Sequence, residues 1–358
     1  MTAASGDLLD VRPFVADPAR FGIGIVGSGN IVENAQIPSY LDAGYRLEAM
    51  TSRTRANAER VAAAAGIARV HDSVEELLAD PAVDVVDIAL PPILQPDVIR
   101  RALQAGKHVL AQKPLAVTYR EASEVVALAA EAGVILAVNQ NGRFDPSINA
   151  ARSLIGDGLL GTRLVAGISM HIQMPWQTYY EDERYDRLMV LHMSVHHVDQ
   201  LRMLFGDPIS VTAVGRRTPG PYFGDTIAQY VLQYEDGFWA SSLDDGTNWS
   251  DDFDITYRIQ GTDASMKGVI GWPHGMASTL SYQRRGEGEW VSPEFSRQWF
   301  PDAFSATMGE LLQALEEGRQ PTNSGTDNLT TMRAVFAAYR SIEERRTVDL
   351  DEISATRD

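Results

Sequence analysis

The stretch Phe21-Gly22-Ile23-Gly24-Ile25-Val26-Gly27-Ser28-Gly29-Asn30-Ile31-Val32 constrains this chain more than any other. An apolar run that stops at two glycines and passes into a helical pattern through Ala35, Ile37 and Leu41 reads as strand, tight turn and helix. The pattern then repeats. Short β-branched runs at 22–26, 46–51, 68–71, 83–89, 108–111 and 134–138 alternate with amphipathic stretches at 55–65, 74–78, 96–105 and 119–132, several of them closed by glycine. That alternation is the signature of a doubly wound, Rossmann-type parallel sheet.

After Asn141-Gly142-Arg143-Phe144 the period changes. Helical stretches at 146–155 and 188–205 are interleaved with a run at 162–172 and followed by runs at 209–216, 226–234, 238–244, 255–260 and 265–270. Turns such as Glu235-Asp236-Gly237 separate strands of an antiparallel sheet. Two closing helices, 302–317 and 326–345, cover that sheet or pack back on the first half. The fold class expected is α/β: an N-terminal Rossmann-type parallel sheet, then a C-terminal α+β domain on an open, mainly antiparallel sheet. The domains run as an arm at 1–20, a dinucleotide-binding domain at 21–140, and a substrate-binding and oligomerisation domain at 141–358.

A chain of 358 residues suits two domains, and 44% apolar residues suffice for two full cores. No apolar run reaches membrane-spanning length, and residues 1–20 lack the basic-then-apolar order of a secretory signal. The absence of cysteine removes disulfide and thiolate chemistry and fits a cytoplasmic location. A net charge of -17 repels nucleic acid and anionic membrane, so neither is expected as a partner.

Gly27 and Gly29 have the spacing of the first two glycines of a dinucleotide fingerprint, one for the turn and one for close approach of a pyrophosphate, although Val32 stands at the third small position. The same spacing also serves as a bare turn. Downstream, Ala105-Gly106-Lys107-His108-Val109-Leu110-Ala111-Gln112-Lys113-Pro114 ends a helix, makes a buried strand, and delivers Lys113 at the strand's carboxyl end, where open parallel sheets keep their chemistry. A third feature is His192-Met193-Ser194-Val195-His196-His197-Val198-Asp199 at a helix start. His192 and His196, four apart, share a helix face and with Asp199 offer an alternative reading as metal ligands, but no acid stands between them and no metal is expected. Asp199 is read as an interface-stabilising residue rather than a catalytic one.

Together these three features resemble the glucose-fructose oxidoreductase and inositol dehydrogenase (Gfo/Idh/MocA) family, over nearly the whole of residues 21–350. The family's Glu-Lys-Pro motif falls on Gln112, Lys113 and Pro114, with glutamine for the acid. Its Asp-x-x-x-His-x-x-Asp pattern falls on His192, His196 and Asp199, with histidine for the first acid. The resemblance implies hydride transfer between a nicotinamide and a secondary alcohol or ketone of a sugar, glycoside or cyclitol. Lys113 would stabilise the reacting oxygen, His196 would act as acid/base, and His192 would assist. The lysine and the imidazole must then converge on one oxygen. Cofactor contacts implied are Gly27, Ser28, Gly29, Asn30, Ile31, Ser52, Arg53, Leu90, Pro91, Gln95, Gln112, Lys113 and Asn141. Ser52 replaces the aspartate of NAD-specific relatives and Arg53 follows it, which favours NADP; Glu48, reaching the ribose, would restore NAD. Trp176, Tyr179 and Tyr180 offer flat faces to a sugar beside Lys113, His192 and His196, and Trp272 and His274 are further candidates to line the same place. The family's sheet faces often pair, so a homo-oligomer through the C-terminal sheet is expected. Two other readings remain: transient sugar oxidation enabling redox-neutral cleavage of a glycosidic bond, and a non-catalytic NADP(H)-responsive binding protein.

Overall fold

A computed structural model describes residues 13, 15–175, 184–272 and 276–356. They form two compact units: residues up to 141 together with 300–329, and residues 142–299 together with those from 330 onward.

The first unit is built on six parallel strands, β1 (Gly22–Val26), β2 (Arg46–Thr51), β3 (Arg69–Val70), β4 (Val85–Ile88), β5 (His108–Gln112) and β6 (Leu136–Asn139), in the order β3-β2-β1-β4-β5-β6. Chain direction along the sheet reverses between β1 and β4, the switch point at which ligands of such sheets bind. The helix after β1 starts at Asn30, winds a π-turn over Val32–Gln36, and continues as α1 (Ile37–Asp42). The wide turn lies just before Pro38, which has no N–H for the carbonyl four residues back. The other crossovers are α2 (Arg55–Ala65), α3 (Val74–Ala79), α4 (Gln95–Gln104) and α5 (Tyr119–Ala132). Ser73 and Thr118 accept the N–H groups of Glu76 and Glu121 at the starts of α3 and α5, while Gly66 and Gly133 close α2 and α5 in the left-handed conformation.

In the second unit, α6 (Pro146–Gly156) precedes the long β7 (Arg163–His171), and a π-turn over Met189–Ser194 leads into α7 (Val195–Phe205). Strands β8 (Ser210–Arg216), β9 (Ile227–Gln233), β10 (Trp239–Asp245), β11 (Asp254–Gly261), β12 (Ala264–Val269), β13 (Thr279–Arg284) and β14 (Val348–Asp349) join β7 in one sheet, ordered β13-β12-β11-β7-β10-β9-β8-β14. Only β7 and β10 pair in parallel. Burial alternates along these strands, so one face is core and the other carries exposed Val214 and Trp239.

The two closing helices have different destinations. Helix α8 (Asp302–Glu317) returns to the first unit, where Phe304, Met308, Leu311 and Leu312 join Ile23, Ile25, Val85 and Leu110 in one apolar cluster. Helix α9 (Gly325–Glu344) begins there, and from residue 330 it belongs to the second unit, where Ser341 accepts the N–H of Ala213 on β8.

Inside the first unit Asp87 on β4 is fully buried and accepts from Gln36 Nε2 (2.8 and 3.1 Å) and Tyr40 Oη (2.8 Å), with no cation among these partners. Burial pushes its carboxyl up to about 7. The folded chain thus holds this proton longer than the unfolded chain, and stability falls as pH rises from about 4 to about 7. Asp87→Asn should remove that fall, so its advantage in melting temperature over the parent should grow by an amount worth roughly 4 kcal/mol across this window. A pH-independent difference in melts would exclude a titrating Asp87.

Candidate active site

At the switch point the two glycines differ in what they require. Gly27 has φ +121°, and a Cβ there would lie 2.4 Å from the carbonyl oxygen of Ala89, so only glycine fits. At Gly29 a Cβ would meet nothing within 4 Å. Packing within the protein leaves Gly29 unexplained; an external group approaching the backbone at the helix start explains it, as a pyrophosphate would. The loop is tied to the end of β2: Ser28 Oγ donates to Ser52 Oγ (2.8 Å), and Asn57 Nδ2 donates to Ser28 O (2.7 Å) and Oγ (2.8 Å). Ser52 therefore keeps its own proton for a ligand. Asn30 and Ile31 are exposed beside the turn.

Three arginines lie on or beside α2, and two are occupied. Arg55 pairs with Glu59 and Asp72, and Arg60 with Glu33. Arg53 is exposed and has no carboxylate partner among the described residues. Glu48 is held by Arg46 and Arg69 and packs near Gly22, at the opposite end of β1 from the glycine turn. It is thereby taken away from the ribose role. These residues fit an NAD(P) cofactor, with Ser52 and Arg53 where a ribose 2′ substituent would be met.

Lys113 follows β5 directly, is half-buried, and is joined to Pro114 by a cis peptide bond. Burial lowers its ammonium from the ordinary 10.5 to about 8. The Gln112 side chain folds back so that Oε1 accepts the N–H of Lys113 (3.0 Å), and Gln95, fully buried at the start of α4, donates from Nε2 to the carbonyl oxygens of Gln112 and Pro114 (both 2.9 Å). Leu90 is half-buried and Pro91 exposed after β4. Next to Gln112, Asn139 at the end of β6 and then Gln140 are buried with both amide atoms lacking a hydrogen-bond partner among the described residues. Buried amides are ordinarily paired with protein, ordered water or a ligand.

In the second unit the histidine helix is not the uniform α-helix expected. His192 sits in the π-turn and His196 in α7, so the join alters the shared face that their spacing alone suggests. His196 packs edge-on against Trp299 (centroids 5.4 Å), which in turn meets Trp272 at 6.1 Å, and His192 packs edge-on against Tyr185. His197 Nδ1 lies 2.7 Å from the Asp244 carboxylate, with both side chains buried. Asp199 is spent on structure. It receives Arg143 Nε (2.5 Å) and Nη2 (2.8 Å) and the Thr331 hydroxyl (2.8 Å), which leaves the metal alternative without its third ligand. Asn141 is buried just before this segment. Trp176, Tyr179, Tyr180 and His274 lie outside the described residues.

Sequence reasoning missed Asn57, Trp299 and the work of Gln95. Asn57 and Trp299 carry no motif, and Gln95, read as a cofactor contact where relatives often have histidine, gave no sign that it holds the backbone around Lys113.

Residues 21–140 match the NAD-binding Rossmann fold of the Gfo/Idh/MocA oxidoreductases, and residues 152–350 match their C-terminal alpha/beta domain. The chain belongs to this family. It is 29% identical over 322 residues to D-apiose dehydrogenase from Paraburkholderia graminis, covering 84% of this chain and 82% of that protein. It is 28% identical over 337 residues to D-xylose 1-dehydrogenase (NADP(+)) 2 from Haloferax volcanii, covering 92% and 99%. An oxidoreductase from Agrobacterium radiobacter, solved with NAD+, L-tartaric acid and magnesium, has the same fold at 22% identity, with a TM-score of 0.82 over 93% of this chain and 99% of that one. The chain is accordingly an NAD(P)-dependent oxidoreductase of the family.

The buried Arg143–Asp199 pair carries a direct consequence for this site. Asp199→Ala takes the carboxylate from a buried guanidinium and should cost about 3–5 kcal/mol in denaturant unfolding, whereas Asp199→Leu combined with Arg143→Met should recover most of that loss. Equal stability of the parent and the alanine variant would contradict the pairing.

Proposed function

We propose that this chain is an NADP-preferring dehydrogenase or reductase acting on a secondary alcohol or ketone of a sugar, glycoside or cyclitol. The observation that carries the reading is Lys113: a lysine at the carboxyl end of β5, beside the switch point, whose proton is loosened by burial to about 8. A cation so placed stabilises the charge that develops on a reacting oxygen. A bound NADP would supply the two-electron acceptor for the hydride that leaves the substrate carbon. His196 takes the hydroxyl proton as the carbonyl forms, Lys113 holds the oxygen, and His192 assists. Supporting the substrate class are relatives named for D-apiose, D-xylose and inositol. Supporting NADP are Arg53, exposed and without a carboxylate partner among the described residues, the Ser52 hydroxyl, and a relative named for that cofactor.

A panel of sugars, cyclitols and glycosides, assayed with NAD and NADP side by side for net reduced cofactor, tests this reading. Lys113→Met should lose about 10²–10³-fold in turnover while binding NADPH as the parent does. Full activity in that variant would remove the mechanism, and substrate cleavage without net reduced cofactor would turn the reading toward redox-neutral chemistry. Arg53→Ala should weaken NADPH by about tenfold and leave NADH unchanged. Equal effects on the two cofactors would remove the NADP preference.

A further inference from the structure

The carbonyl oxygens on either side of Lys113 lie where the sheet no longer serves them. Strand β5 ends at Gln112, its last pairing with β4 is at Ala111, and Pro114 is beyond both neighbours. Both carbonyls are satisfied by a single nitrogen, Gln95 Nε2, at 2.9 Å each. Gln95 is the first residue of α4, whose Pro96, Val98, Ile99, Ala102 and Leu103 are buried, so this donor is mounted on a packed helix rather than on a loop. The Lys113 N–H is taken by Gln112 Oε1.

We propose that Gln95 is a positioning residue: its two N–H bonds clamp the backbone on both sides of Lys113 and fix where the lysine side chain leaves the end of the sheet. The clamp is neutral, as is Gln112, so it aims the ammonium without adding a charge to hold its proton. This deepens the role given to Lys113 above and rests on it for its catalytic meaning, while the clamp itself is measurable without substrate.

The sequence has three lysines, Lys107, Lys113 and Lys267, so each can be followed separately. Trace acetylation of the full-length protein with acetic anhydride across pH, read by mass spectrometry, reports the titration of each amine. In the parent Lys113 should inflect near 8. Gln95→Met has similar length but no donor. It should let the turn relax toward water and move the Lys113 inflection upward by about one unit, with Lys107 and Lys267 unmoved. Gln95→His keeps one ring N–H and should show a smaller upward shift. A Lys113 inflection unchanged in the methionine variant overturns the clamp; should that variant fail to fold, the histidine variant decides by the same criterion. Lys113→Met in the sugar panel tests the catalytic reading independently: if it stays active, that reading falls while the acetylation result still judges the clamp.

Discussion

The closeness of Gly27 to the carbonyl of Ala89 is the constraint on which the first unit turns. It records how tightly the chain leaving β1 passes the end of β4, and no side chain can intervene there. Because the chain turns so sharply, the following helix starts at the sheet's end with its first N–H groups facing outward. The two connections leaving this point then diverge to opposite sides, and the crevice between them is a property of strand order, not of any loop. Ser28, Ser52 and Asn57 hold the turn in that shape, and Lys113 arrives two strands away at the same edge.

Buried charges fall into two kinds, uncompensated and compensated, and both occur in each unit. In the second, the Asp199 carboxylate meets a guanidinium in two-pronged contact and a hydroxyl besides, so its charge is compensated where it stands. In the first, Asp87 and Lys113 are desolvated next to neutral amides, and their proton affinities drift toward neutrality from opposite directions. Compensation fixes a scaffold; its absence leaves a group able to exchange a proton under ordinary conditions.

Most of the architecture was legible because it is written in local periods. The six parallel strands, their helices and the long strands of the second sheet are seen in alternation and glycine stops. Strand β13, with Leu280 as its one buried apolar residue, and the two-residue β14 carry too little apolar signal to announce themselves. The π-turns were invisible since they depend on hydrogen-bond phase rather than composition. At the site, Lys113 could be read from a strand running into a proline. The Ser28–Ser52–Asn57 tie and the reach of Gln95 across 17 and 19 residues could not, being agreements between distant segments. The destination of α8 was left open by its amphipathic pattern, which suits either unit equally.

That destination has a bearing on how the protein can be divided. With residues 300–329 returning to complete the first core, residues 142–299 of the second unit are inserted in sequence between two segments of the first. A fragment cut at residue 140 would lack Phe304, Met308, Leu311 and Leu312 and lay bare the apolar surface they cover. The nucleotide-binding half is thus not a detachable cassette: its synthesis is complete only once almost the entire polypeptide has been made.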